Sequence, residues 1–254
     1  MNGYRVLLRK EVLEQWRTMR LGIVTLLFLA FGILSPALAR YLPQLLGGLL
    51  PESGVTITLS DPTVADAVGQ FVKNLGGTLS LAAVLLAMGM IASEKERGTA
   101  AFVLSQPAGR GAFVAAKLTA LAVTLGIAMA AATAGAWAYT AWLFEAPPVA
   151  GFLAMGAMIW LAQFALGSLT LLASALLSSA IAAGAVGIAL FVALSLLSAV
   201  PALAPFTSPG LVNLSAGAAM GQVTTDALLA VAANGLIAAA AGVAAWRVLR
   251  AQEL

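Results

Sequence analysis

Long apolar runs alternate with short polar punctuation along this chain. Six of the runs, 21–42, 75–92, 113–144, 149–176, 180–200 and 227–246, have the length of a membrane-crossing helix, which needs about 20 apolar residues. The run 113–144 exceeds one crossing and predicts a tilted or protruding helix. Within it, Gly126, Ala130, Ala134 and Ala138 recur at steps of four, a stripe of small residues suited to close packing by a neighbouring helix. Glu145-Ala146-Pro147-Pro148 predicts a tight turn between the third and fourth runs, and Ser178-Ser179 is the whole link between the fourth and fifth.

The intervening segments have patterns of their own. In 1–20, Tyr4, Leu8, Val12, Trp16 and Met19 share one helical face while Lys10, Glu14 and Arg17 occupy another. That pattern predicts an amphipathic helix lying in the membrane interface, with Tyr4 and Trp16 at headgroup level. The alternative is the basic start of a signal peptide, with Ala37-Leu38-Ala39 as a cleavage site. The connector 43–74 holds Glu52, Asp61 and Asp66, and Val55–Leu59 alternates like a short strand. Asp61-Pro62 reads as an N-cap followed by a first-turn proline, with Val64, Val68, Phe71, Val72 and Leu75 at helical spacing behind it. Before the last run, Pro201, Pro205, Pro209 and Gly210 break the chain. Leu211–Met220 is apolar enough to dip into the membrane without crossing it. The expected fold is an all-α membrane protein. It has six transmembrane helices, an N-terminal amphipathic helix, and a broken, re-entrant extracytoplasmic segment before the sixth.

Composition excludes most other classes. Of 254 residues, 61% are hydrophobic and 9% charged, against about 25% charged in soluble domains. Mean hydropathy is +1.00. The chain has no Cys and no His, which removes thiolate and imidazole ligands and the commonest general base. No catalytic and no metal site is expected. The 13 basic residues divide unevenly. Arg5, Arg9, Lys10, Arg17 and Arg20 precede the first run, Lys95, Arg97, Arg110 and Lys117 lie in 93–117, at and before the start of the third, and Arg247 and Arg250 follow the sixth. The other side has Arg40 and Lys73 alone. This asymmetry predicts that both termini and the central connector are cytoplasmic.

That connector, 93–112, is the charged interruption in the middle of the chain. Gly98 breaks the helix leaving the second run, Thr99 is a candidate N-cap, and Phe102, Val103 and Leu104 are apolar residues in a cytoplasmic loop. Pro107 and Gly109-Arg110 then return the chain to the membrane. Exposed apolar side chains there suit either a docking partner or the lipid surface. The motif Glu94-x-x-x-Gly98-Thr99, then Leu104-Ser105-x-Pro107, Arg110 and Lys117, resembles the cytoplasmic coupling segment of permeases of type-2 ATP-binding-cassette (ABC) exporters. Arg9-Lys10-Glu11 resembles that family's elbow helix, and Ser208-Pro209-Gly210-Leu211 the segment before its last span. The family often continues Gly-Thr with Leu-Glu, where this chain has Ala100-Ala101.

The resemblance implies one six-helix half of a transporter in a prokaryotic plasma (inner) membrane. Such a permease pairs with a second copy or a homologue, and two cytoplasmic ATPase subunits drive the pair. Glu94, Glu96, Arg97, Gly98, Thr99, Phe102, Val103, Leu104, Pro107 and Arg110 would couple to the ATPase. Tyr4, Leu8, Val12 and Trp16 would form the elbow. The chain has no G-x-x-x-x-G-K-[ST] loop, so ATP and Mg2+ would be bound by the partner and no cofactor by this chain. Asn74, Thr78, Gln163, Asn213 and Asn234 are polar residues within or beside the runs. They are candidates for a transport path or for bonds between helices. A second functional reading is a membrane scaffold that passes ATPase-driven motion to an extracytoplasmic partner at 43–74 without moving a solute.

Overall fold

A computed structural model describes residues 3–49, 61–99 and 109–252, with the backbone alone for 43–49. Among these residues the regular structure is all helix. Helix α1, Gly3–Arg17, is followed by a turn at Met19, whose positive φ of 59° leads the chain into α2, Arg20–Leu49. Met19 therefore closes the first helix instead of extending its apolar stripe. Helix α2 runs unbroken through Pro36 and Ala37-Leu38-Ala39. Beside the proline, the Ser35 hydroxyl donates to the Phe31 carbonyl at 2.6 Å. Val55–Leu59 lies outside the described residues.

The second crossing is jointed. Helix α3, Val64–Lys73, is capped by Thr63, not by Asp61. Thr63 and Asp66 form a reciprocal capping box: the Asp66 carboxylate accepts from the Thr63 amide at 2.8 Å, and the Asp66 amide donates to the Thr63 hydroxyl at 3.4 Å. That reciprocity outweighs the lone Asp61-Pro62 signal, so the helix starts later. A π-helical turn, Asn74–Thr78, follows, then α4, Ser80–Met88, and α5, Ala92–Glu96. Together they form one apolar unit over Val64–Glu96, longer at both ends than the run 75–92. Its buried face includes Val68, Phe71, Val72 and Leu75.

The remaining helices are α6, Arg110–Leu143; α7, Val149–Leu176; α8, Ala180–Ser198; α9, Ser208–Ala219; and α10, Thr225–Ala251. Among the described residues, six helical units are long and apolar enough to span a membrane. At 12 residues, α9 is not one of them. Its length of about 18 Å falls short of a hydrocarbon core of about 30 Å.

Helix α7 lies at the centre, against α4, α6, α8, α9 and α10. Helix α2 packs along α6 through glycines: a methyl group at Gly32 would sit 2.5 Å from the Ala132 carbonyl oxygen. The α6 residues facing inward are Leu121, Leu125, Ala128, Met129, Ala132 and Ala136. Ala130, Ala134 and Ala138 face outward, so the expected small-residue stripe is not the packed face within this chain. Alanine is so frequent in this helix that steps of four single out no side. On the outer surface Ile23, Leu26, Leu85, Ile181, Leu196 and Leu236 are exposed, as lipid-facing positions require.

Candidate functional site

Helix α1, the end of the second crossing and the start of α6 meet at one end of the bundle through charge. The Lys117 side chain, two turns into α6, is 2% exposed, and its ammonium donates to Glu11 and to Glu94 at 3.0 Å each. Lys10 also donates to Glu94, at 2.5 Å, and lies 3.5 Å from Glu11. The Lys117 nitrogen sits 4.7 Å from the centre of the Phe113 ring, a cation–π contact. Two ammoniums thus face two carboxylates, and three segments far apart in sequence are tied together. A buried charge persists only when it is paired and hydrogen-bonded.

Burial opposes the charge on Lys10, but the hydrogen bond and charge of Glu94 outweigh it and hold the ammonium above its ordinary pKa. One carboxylate oxygen each from Glu11, Glu14 and Glu94 lie within 4.8 Å of one another. The two lysines already supply the positive charge between Glu11 and Glu94, so the arrangement is an ion-pair network. A polar cavity of about 500 Å3 opens beside it, lined by Glu14, Gln15, Thr18, Arg20, Arg97 and Thr99 among others.

Further bonds hold the same end. Lys95 donates to the Ala175 carbonyl and, at 2.8 Å, to the Gln252 side chain. The Glu96 carboxylate accepts from the Ala180 amide at 3.0 Å, filling an open donor at the N-terminus of α8. Arg110 donates to the carbonyls of Leu249 and Arg250 at 2.9 and 2.7 Å, capping α10. The Thr99 hydroxyl donates to the Glu94 carbonyl at 3.2 Å, and Arg97 is exposed. Gly98 and Gly109 both have left-handed φ, 69° and 73°, a conformation glycine adopts without a Cβ penalty. Phe102, Val103, Leu104 and Pro107 lie outside the described residues.

Of the α1 residues, Tyr4 and Leu8 pack on the core, and the Tyr4 and Thr119 hydroxyls lie 2.9 Å apart. Val12 and Trp16 are exposed. The buried positions of this helix are Leu7 and Glu11, one step round from the apolar stripe. The polar candidates in the spans separate into two groups. Gln163 donates to the Leu75 carbonyl at 3.0 Å in the π-helical turn, and Asn74 donates to the Ser35 hydroxyl at 3.0 Å. Asn234 donates to the carbonyls of Thr207 and Ala230 at 3.3 and 2.9 Å and accepts from the Ser208 hydroxyl at 2.9 Å. Thr78 and Asn213 are exposed, and Asn213 lines a cavity of about 360 Å3 with Lys73, Gly76, Gly77, Ser195 and Ser198.

Ser174, another polar residue of the spans and equally a candidate for path or interhelical bond, makes the second: its hydroxyl accepts from the amides of Ile91 and Ala92 at 3.1 and 2.9 Å and donates to the Met88 carbonyl at 2.7 Å. Two members of the network were not legible in the sequence: Glu11 as a buried ion-pair partner, and Lys117, grouped with the connector's basic residues, as an interior group. A lysine flanked by Ala115-Ala116 and Leu118 was the available signal.

The family described as ABC-2 family transporter protein matches residues 5–209, from α1 through the break before α9. YxlG, an uncharacterized transmembrane protein of Bacillus subtilis (strain 168), is 28% identical over 192 residues, covering 74% of each chain. A match over most of the chain, together with six helices of membrane-spanning length, places this protein in the ABC-2 transporter family, as a multi-pass permease subunit that is not itself catalytic.

Proposed function

We propose that this chain is the permease half of an ATP-driven exporter. A separate cytoplasmic ATPase would grip 93–112 and pass its closure to the membrane helices. The ion network of Lys10, Glu11, Glu94 and Lys117 supports this reading best, because it fastens the entrance of the connector to α1 and α6 at once. Movement of Glu94 would draw both helices with it. Arg110 adds a tie from the connector's exit to α10. The fourfold ties at one end of the bundle also agree with a cytoplasmic location for both termini, as the basic-residue asymmetry requires.

On this reading Phe102, Val103 and Leu104 dock on the ATPase, with Pro107 ending their helix. Glu96, Arg97, Gly98 and Thr99 would frame the docking segment, and ATP and Mg2+ would be held by the partner. Thr78 and Asn213, both exposed and Asn213 lining a recess, are the better path candidates. Asn74, Gln163 and Asn234 are spent on bonds between helices. Two copies of this chain with two ATPase subunits would form the working unit in a prokaryotic inner membrane.

The test is co-expression with neighbouring genes, purification in mild detergent and mass analysis of the intact complex. A two-plus-two assembly is expected. Phe102→Asp and Leu104→Asp should insert normally yet lose the ATPase, because a carboxylate would be desolvated in an apolar groove. Unchanged co-purification and unchanged stimulated hydrolysis in both variants would overturn the docking role.

A further inference from the structure

A groove of about 510 Å3 runs between α6, α7 and α10, and nothing in the coupling reading uses it. Its volume falls within the range of small-ligand sites, about 300–1,000 Å3. One wall is the flat pair Trp160 and Phe164, stacked at 5.7 Å with their planes 3° apart. The Trp160 indole N–H is taken up by the Ala122 carbonyl at 3.0 Å, so the face toward the groove is apolar. Small residues keep the opposite side open: Gly111, Ala115, Gly235 and Ala239. A methyl group added at Gly235 would meet no heavy atom within 4 Å.

One end of the groove is different. Trp246 lines it there, and the Arg250 guanidinium lies 5.8 Å from the centre of the Trp246 ring. Arg110, next to groove residue Gly111, is pinned nearby by the Leu249 and Arg250 carbonyls. An apolar slot on the membrane face therefore closes on an indole and two guanidiniums at the water-facing end of two spans. We propose that this groove binds an anionic phospholipid of the surrounding bilayer, one acyl chain along Trp160 and Phe164 and the headgroup between Arg110 and Arg250. Indole and guanidinium side chains at headgroup depth are the groups that recognise such a lipid. A partner helix fits less well. At a diameter of about 10 Å and a pitch of 5.4 Å it fills roughly 400 Å3 per turn, so the groove would accept little more than one turn.

Native mass spectrometry of the purified full-length chain tests this. The probes are phosphatidylglycerol and phosphatidylcholine with identical acyl chains. Wild-type protein should retain phosphatidylglycerol about fivefold more strongly per headgroup arginine engaged. Arg250→Gln should cut that preference about fivefold, leaving the share of Arg110 and the acyl binding in place. Gly235→Leu, which fills open space without a clash, should weaken retention of both lipids while thermal stability stays unchanged. If that variant fails to accumulate, Ala239→Leu blocks the same slot. Equal retention of the two lipids by wild-type protein would overturn the proposal. So would a preference undiminished by Arg250→Gln, or undiminished binding after the slot is filled. A switch of Gly235→Leu from dimer to monomer would reassign the groove to a second copy of the chain, and overturn it too.

Discussion

Replacing Lys117 with methionine keeps most of the side chain's volume and removes its charge. Each of its 3.0 Å contacts to Glu11 and Glu94 has a gross attraction of about 5 kcal/mol at an effective dielectric constant near 20. Burial of the ammonium offsets several kcal/mol of that sum. The variant's defect arises from what stays behind, two carboxylates in a pocket with one cation fewer. Glu94 keeps Lys10 at 2.5 Å, whereas Glu11 has it only at 3.5 Å. Breaking a buried pair costs about 3–5 kcal/mol, and the surviving Lys10 puts Lys117→Met at the lower edge, about 3 kcal/mol. At about 2–4 °C per kcal/mol for a chain of this size, Tm should fall by roughly 6–12 °C.

The assay is thermal unfolding in detergent near neutral pH, followed by tryptophan fluorescence. The Lys10→Met control should lose less than about 1 kcal/mol, since the Lys10 side chain is 41% exposed and screened by solvent. Its pKa is raised above 10.5 in the folded state. Its pair with Glu94 therefore contributes fully below the unfolded pKa and is lost only as pH rises through the folded one. Adding Glu11→Gln to Lys117→Met should recover part of the loss, because it removes the stranded charge. If Lys117→Met is no less stable than Lys10→Met, the network is not the fastening described above.

Two further expectations come from the packing. Gly32→Val would force carbon against the Ala132 backbone, so it should cost about 1–3 kcal/mol in the same melt, while Gly22→Val, with open space around it, should be silent; equal stability of the two would refute the close α2–α6 contact. Asn234→Leu leaves the Ser208 hydroxyl and the Thr207 carbonyl without their bonds, a loss of about 1–3 kcal/mol. Amide hydrogen exchange across 204–213 should quicken, and unaltered exchange there would show that the break is held by other means.

The spans were legible because membrane helices announce themselves by uninterrupted apolar length, and each of the six runs falls within or overlaps a helix of the bundle. Their ends were less legible. The second crossing extends back to Val64, eleven residues before the apolar run begins, because Thr63 and Asp66 cap it jointly, a signal masked by Asp61-Pro62 just ahead of them. Which side of α6 packs could not be read, since alanine lies on every side of it. The ion network was hidden for another reason: its members stand 106 and 23 residues apart in the two bonds of Lys117. Charge at the end of a run looks like an anchor until a partner is seen beside it. Asn234 and Gln163 could be path or glue by composition alone. Their bonds to the Thr207 and Leu75 carbonyls separate them from the exposed Thr78 and Asn213.

The second crossing is interrupted at Asn74–Thr78 and again between Met88 and Ala92. At each interruption a side chain of α7 takes up the loosened backbone, Gln163 at the first and Ser174 at the second. A straight helix behaves as a stiff axle that turns from end to end. This one is built as three rods, jointed where side chains of the central helix hold the backbone. A push delivered at Glu94 would then swing the middle rod, Ser80–Met88, while Val64–Lys73 keeps its bearing. Force entering at one membrane face could thus arrive at the other as a change of angle.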